Sequence, residues 1–336
     1  MRARTLSALS VLDYHTEGEP MRIVVDGAPA LDGATMLERS NAFAARHDGL
    51  RRMMLDEPRG HAAMCGALLA PPSNPAADMG VIFVEPLGVV HMCGHGAIAI
   101  ATMLVEHGRV PVRSPETVVR LDTAAGLVTA RVRVDGERIG PATIRNVASY
   151  SVMLDAKADV DGFGPVAFDL AYGGHFYALV DAASVGLVLR QEHAARIVDA
   201  GERIRTALER SVPLVHPEGG QSKGLLYVQF HGPPRDPRAN LVNAVVVAPA
   251  ALDRSPCGTG TSARLANLWA RRRLGIGQPF VHESIIGTLF EGRIVDLTTV
   301  GPYEAIVPEI TGHAYQIAEG RLMVADGDPF PSGFRL

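Results

Sequence analysis

The chain has 336 residues, enough for two domains of ordinary size with separate cores. Hydrophobic residues make up 47% and charged residues 20%, a globular profile. Lys and Arg number 32 against 36 Asp and Glu, a net charge of −4 with no long basic block, so no nucleic-acid partner is expected. Ala97 to Val105, interrupted only by Thr102, is too short an apolar run to span a bilayer, and no membrane partner is expected. After Arg2 and Arg4 the apolar stretch breaks at Asp13 and His15, which leaves no signal-peptide core and makes a cytoplasmic location the default.

In chain order, Ala8 to Tyr14 and Met21 to Val25 read as strands joined by a wide polar loop, His15 to Pro20. Met36 to Arg52 reads as one amphipathic helix. Gly80 to Val84 and Gly88 to His91 are strand-like and lead into Met92-Cys93-Gly94-His95-Gly96. Ala97 to His107 follows as a helix stopped by Gly108. Thr117 to Leu121 and Leu127 to Val134 then form a β-hairpin pattern.

The second half repeats this order. Leu241 to Val247 reads as a strand leading to Pro256-Cys257-Gly258-Thr259-Gly260. A helix over Thr261 to Arg273 follows, ended by Gly275. A hairpin of Ser284 to Phe290 and Arg293 to Thr299 then turns at Glu291-Gly292. The two cysteines lie 164 positions apart (257 minus 93), about half the chain, which points to a duplicated domain. The expected division is 1–150, joined by a C-terminal tail at 315–336, and 151–314, with the seam in the polar stretch Ala148 to Asp161.

Three cysteines cannot complete a disulfide framework and are expected as thiols. Cys65, between Met64 and Ala67-Leu68-Leu69, reads as a small buried hydrophobe. Cys93 and Cys257 each sit at a helix start, where unpaired N–H groups and the helix dipole favour thiolate, so a lowered thiol pKa is expected. The same N–H groups can hold a carboxylate, and glycine lets a ligand approach the backbone. Two such thiols suit removal of an α-proton from one face of a carbon and delivery to the other. His95 and Asp253 lie beside the helix starts and could bind a substrate amino group. Asp253 reads equally well as a turn residue with Ser255-Pro256, and His95 as a loop histidine bonded to a carbonyl. No metal site is expected, because Cys93-Gly94-His95 lacks the usual spacer and Cys65 with His61 does not repair it. A cysteine hydrolase would leave the second cysteine unexplained, and no nucleotide motif is present.

These segments resemble the proline racemase family, within the diaminopimelate epimerase-like fold. Asp13-Tyr14-His15-Thr16-Glu17-Gly18-Glu19-Pro20 and Glu57-Pro58-Arg59-Gly60-His61 resemble its N-terminal signatures. Met92 to Gly96 and Asp253 to Thr261 resemble its two catalytic segments. Phe168-Asp169 with Tyr172-Gly173-Gly174, Glu283 to Gly287, and Asp328-Pro329-Phe330 extend the likeness over nearly the whole chain. The resemblance implies two pseudo-symmetric α/β domains, each a central helix wrapped by mixed β-sheet, with the active site in the cleft. It implies Cys93 and Cys257 as the acid–base pair. Gly94, His95, Gly258 and Thr259 would hold the substrate carboxylate through backbone N–H groups, and Asp253 and His95 would contact the ring nitrogen. His175 and His61 are further candidates for the pocket. The implied partner is a small molecule, proline or 4-hydroxyproline; no cofactor is implied, and a homodimer is compatible.

Cysteine at both catalytic positions favours inversion over trans-3-hydroxyproline dehydration, whose branch typically carries Ser or Thr at one of them. Dehydration and non-catalytic amino-acid binding remain the alternatives. His216 to Gly224 resembles the proline-type branch, whereas His175 departs from the residue common after the paired glycines.

Overall fold

The computed structural model describes residues 5–212, 214–219 and 226–335. The chain divides into two compact units, Met1–Ala142 with His313–Leu336, and Thr143–Gly312.

The first unit contains β1 (Thr5–Thr16), β2 (Glu19–Asp26), β3 (Cys65–Ala70), β4 (Met79–Glu85), β5 (Gly88–Val90), β6 (Glu116–Thr123) and β7 (Gly126–Asp135). It also holds α1 (Met36–Arg46), α2 (Asp48–Leu55) and α3 (Gly94–Glu106). The strand β8 (Arg138–Arg145) contains the boundary between the units. The second unit contains β9 (Ser149–Val160), β10 (Gly164–Tyr172), β11 (Phe176–Asp181), β12 (Leu226–Gly232), β13 (Leu241–Val247), β14 (Ala251–Leu252), β15 (Phe280–Glu283), β16 (Leu289–Val300) and β17 (Tyr303–Gly312). Its longer helices are α4 (Ala194–Ser211) and α5 (Gly258–Ala270), and β18 (Ala314–Ala325) returns to the first unit.

The strand pairings repeat. In the first unit β18 pairs antiparallel with β1, β1 antiparallel with β2, and β2 parallel with β3. β3 then pairs antiparallel with β4, β4 parallel with β6, and β6 antiparallel with β7. In the second unit the sequence β9, β10, β11, β12, β13, β15, β16 shows the same alternation of antiparallel and parallel pairs. There β17 pairs with both β16 and β9, which closes the sheet on itself. Each unit therefore wraps a mixed sheet about one central helix. α3 packs on β1, β2, β3, β6, β7 and β18, and α5 on β9, β10, β11, β16 and β17. Both helices are almost wholly buried, as a helix enclosed by strands must be; α3 is apolar nearly all round, whereas α5 also buries Thr261, Ser262, Arg264 and Asn267.

Several local expectations change. Met36 to Arg52 is two helices, because His47 (φ −129°, ψ 22°) leaves the helical region, closes α1 through its N–H to the Phe43 carbonyl and opens α2. The break lets α2 bury Met53, Met54 and Leu55. The wide loop after β1 is a tight turn on Glu17 (φ 47°) and Gly18 (φ 99°), the two positive φ angles that a type I′ hairpin turn requires. The hairpin near Glu291-Gly292 turns earlier, at Ser284–Thr288, where the Ser284 amide donates to the Thr288 carbonyl (2.9 Å). Gly292 lies inside β16, and a Cβ there would meet Leu265 Cδ1 at 3.1 Å and Thr261 Cγ2 at 3.3 Å. It is a close-approach glycine against α5. α5 ends at Ala270, three residues before the expected end, with Arg272 at φ 55°. Most of Ala148 to Asp161, the expected seam, is strand β9.

Candidate functional site

Each unit sets one cysteine at the N-cap of its buried central helix. Cys93 precedes α3 and Cys257 precedes α5, with relative exposures of 4% and 6%. All three cysteines are buried thiols. In both units the fourth residue of Cys-Gly-x-Gly, a glycine, makes room for the sulfur. A Cβ on Gly96 would lie 3.1 Å from Cys93 Sγ, and one on Gly260 would lie 3.0 Å from Cys257 Sγ. The motif thus folds a thiol back over the first turn of its own helix.

The surroundings of the two thiols differ. In the first unit Cys93 has an extended backbone (φ −141°), and the His95 Nδ1 lies 3.4 Å from its sulfur. The Thr16 hydroxyl, from the end of β1, donates to the His95 carbonyl (2.9 Å). Gly94, His95 and Gly96 are all buried in the first turn. His61 lies apart from this turn in sequence and is exposed on the loop before β3, where its Nδ1 accepts from the Ala63 amide (3.3 Å).

In the second unit Cys257 adopts φ 62°, ψ 107°, a conformation that costs a non-glycine residue about 1–3 kcal/mol. Its neighbours hold it there. Asp253 Oδ1 accepts from the amide (2.8 Å) and hydroxyl (2.9 Å) of Ser255, and the Ser255 hydroxyl accepts from the Cys257 amide (3.0 Å). The turn reading of Asp253 is therefore realised through Oδ1, and Oδ2 is left out of this turn. The Pro256 carbonyl is clamped by Asn243 Nδ2 (2.7 Å) and the Thr261 hydroxyl (3.1 Å). Both of those groups also contact His282 Nδ1, at 3.2 Å and 2.9 Å.

Around the Cys257 sulfur lie the Gly260 amide (3.4 Å), the Tyr177 hydroxyl (3.3 Å) and the Thr259 hydroxyl (3.8 Å), and the two hydroxyls are 2.6 Å apart. Burial pushes this thiol well above its usual range, and the nearby Asp253 charge pushes it further. The hydrogen bonds from Tyr177, Gly260 and Thr259 oppose the shift without reversing it. The lowered pKa expected from the helix start is thus overturned for Cys257, because desolvation outweighs the helix donors.

Tyr177 itself comes from β11, directly across from Tyr227 of β12. The preceding paired glycines let this strand approach α5. A Cβ on Gly173 would lie 2.2 Å from the Thr259 carbonyl, and Gly174 has φ 118°. His175 is 8% exposed and tilted against the Tyr227 ring at 5.0 Å, and Tyr227 meets the Tyr177 ring edge-on at 5.6 Å. Tyr177, Asn243 and His282 escaped the sequence reading. The Gly173-Gly174 pair was the available signal for Tyr177, since it marks a strand start pressed against another element. Of the segment His216 to Gly224, the part from Gly220 onward lies outside the described residues; His216 is buried against Tyr172, ring centroids 4.9 Å apart.

Among the described residues no cluster of three or more His, Cys, Asp and Glu is arranged to hold a metal ion, and no helix is long and apolar enough to cross a membrane. The sequence profile of the family described as proline racemase matches residues 11–335. A 4-hydroxyproline 2-epimerase of Streptosporangium roseum is 46% identical over 99% of this chain and 100% of its own length. A proline racemase of Acetoanaerobium sticklandii is 38% identical over 98% of each chain. The crystal structure of a hydroxyproline epimerase from Agrobacterium vitis, with bound trans-4-hydroxy-L-proline, superposes with a TM-score of 0.90 at 34% identity, covering 98% of this chain and 96% of that one. The repeated strand order, the two cysteine-capped central helices and these likenesses agree: the chain belongs to the proline racemase family.

Proposed function

We propose that this chain is an amino-acid racemase or epimerase that inverts the α-carbon of proline or 4-hydroxyproline, with Cys93 and Cys257 as its acid–base pair. The observation that carries the reading is one local device built twice, a buried thiol at a helix start, folded back over a glycine. The likeness to a 4-hydroxyproline 2-epimerase and a proline racemase supports a ring amino acid as substrate. The related structure holding trans-4-hydroxy-L-proline favours the hydroxylated ring.

In the resting enzyme Cys257 keeps its proton, because it is buried and beside Asp253. It is the resting acid. In this direction Cys93, with the His95 imidazole against its sulfur, acts as the base. The Cys93 thiolate takes the α-proton, an S–H bond forms, and the C–H electron pair remains on the α-carbon. Cys257 then gives its proton to that carbon and is left as thiolate. The first-turn amides of Gly94, His95, Gly258 and Thr259 hold the carboxylate, into which the carbanion charge spreads. Asp253 and His95 are the candidates for the ring nitrogen, and His175, packed on Tyr227, is a candidate for the ring pocket. Proton transfer between two thiols needs no cofactor.

The test is turnover in deuterium oxide, followed by polarimetry and NMR with L-proline, trans-4-hydroxy-L-proline and trans-3-hydroxy-L-proline. Inversion with α-deuterium uptake is expected on at least one of the first two. Cys93→Ser and Cys257→Ser should each lower kcat by about 10²- to 10⁴-fold. Wild-type inversion by Cys257→Ser would refute the two-thiol mechanism, and release of pyrroline carboxylate from the 3-hydroxy substrate alone would establish the lyase instead.

A further inference from the structure

We propose that Tyr177 is a further catalytic residue, the hydroxyl that carries the Cys257 sulfur through its change of charge by a reversible chain, Cys257 Sγ to Tyr177 Oη to Thr259 Oγ1. The proposal rests on the racemase reading above and deepens it. Tyr177 is 0% exposed, its oxygen lies 3.3 Å from the sulfur and 2.6 Å from the Thr259 oxygen, and all three residues belong to one unit. Either hydroxyl of the Tyr–Thr pair can donate to the other, so the chain has two directions.

With Cys257 as thiol, the sulfur makes little demand as an acceptor and Tyr177 can donate to Thr259. When Cys257 gives its proton to the carbanion, a C–H bond forms, the S–H bond breaks and its electron pair stays on sulfur. Tyr177 then turns its O–H to the thiolate, and Thr259 turns its own O–H to the Tyr177 oxygen. No proton leaves either oxygen. The reverse half-reaction runs the same rotations backward. Two features support a donor role. Burial holds the Tyr177 phenol well above its ordinary range, and the Cys257 charge and hydrogen bond push it the same way, so it remains an O–H. The other groups near this sulfur, the Gly260 amide and the Thr259 hydroxyl, lie at longer distances, 3.4 Å and 3.8 Å. Hydrogen bonds to charged groups are the strong ones, and this one forms only when the charge does. In the first unit an imidazole lies beside the sulfur, His95 Nδ1 at 3.4 Å.

Tyr177→Phe removes the hydroxyl and keeps the ring. It is expected to lower kcat by about 10- to 100-fold in both directions with KM unchanged. The discriminating readout is the primary isotope effect with each α-deuterated stereoisomer. Proton transfer at Cys257 becomes more rate-limiting, so the effect grows for the isomer whose proton Cys257 removes and shrinks for the other. A structural disturbance would change both alike. Tyr177→Phe with Thr259→Val removes both hydroxyls and the stranded partner; it should remain as slow as the single variant. An unchanged kcat, equal isotope-effect changes, or recovery in the double variant would overturn the proposal. A wild-type enzyme that inverts neither substrate would instead remove the racemase reading beneath it.

Discussion

Replacing Gly260 by alanine separates the stability of α5 from the placement of its thiol. The added Cβ would lie 2.8 Å from Gln229 Nε2, 3.0 Å from Cys257 Sγ and 3.2 Å from Cys257 Cβ. Gln229 is 0% exposed and the Cys257 backbone lies at positive φ, so either neighbour gives way only by disturbing its own packing. Overpacking of this kind costs about 1–3 kcal/mol. Alanine returns about 1 kcal/mol of helix propensity, so the net loss of stability is about 0–2 kcal/mol. The sulfur, however, must retreat by roughly half an ångström or more to reach ordinary contact at about 3.5–4.0 Å. That retreat changes its distances to the Gly260 amide and to Tyr177, now 3.4 Å and 3.3 Å. A displacement on that scale costs about 10²-fold in rate, or about 2.7 kcal/mol of barrier. The assay pairs polarimetric kcat with thermal unfolding. Gly260→Ala should unfold cooperatively near the wild-type temperature while losing most of its turnover. A folded variant with kcat within about threefold of wild type would show that the glycine does not set the thiol's position.

Asn243→Ala removes one of the two donors on the Pro256 carbonyl and a contact of His282, all of them buried. It should cost about 1–3 kcal/mol of stability, read by urea unfolding, and lower kcat while leaving Cys93 chemistry untouched. A pH series tests the buried histidines. Burial, and then the Arg264 charge, pushes His282 well below its usual range and His231 down to about 3. The unfolded chain takes up these protons below about pH 6.5, where the folded chain refuses them, so their contribution is full above that pH and is lost as pH falls. Unfolding free energy should decline from pH 6.5 toward pH 4, by at most about 1.4 kcal/mol per pH unit per histidine. A flat profile over that range would mean that these rings are not held neutral in the fold.

The sequence displayed the device and hid its setting, for a physical reason. Cys-Gly-x-Gly followed by an apolar run is a local signal: capping, glycine spacing and helix periodicity all act within a few residues. The two helix starts and the repeated order of strands were therefore legible. Contacts made across long stretches were not. Tyr177 reaches Cys257 from 80 residues away, and His282 reaches Thr261 across 21, with no local pattern to mark either. Glycine adds its own ambiguity. Gly108 (φ 59°) does stop α3, while Gly292 serves close packing against α5, and in sequence the two look alike. The thiol charge fails for a related reason. Helix polarity can be read from a chain, but desolvation depends on what covers the site, and at Cys257 that term decides the outcome. The asymmetry between the two copies lies in these unseen contacts, an imidazole at one sulfur and a Tyr–Thr hydroxyl pair at the other. On the proposed mechanism, a near-symmetric reaction would run on two thiols whose surroundings differ in chemistry. On this basis the pH dependence of kcat should be shaped by different groups in the two directions, while the fixed equilibrium between the isomers keeps the two kcat/KM profiles parallel.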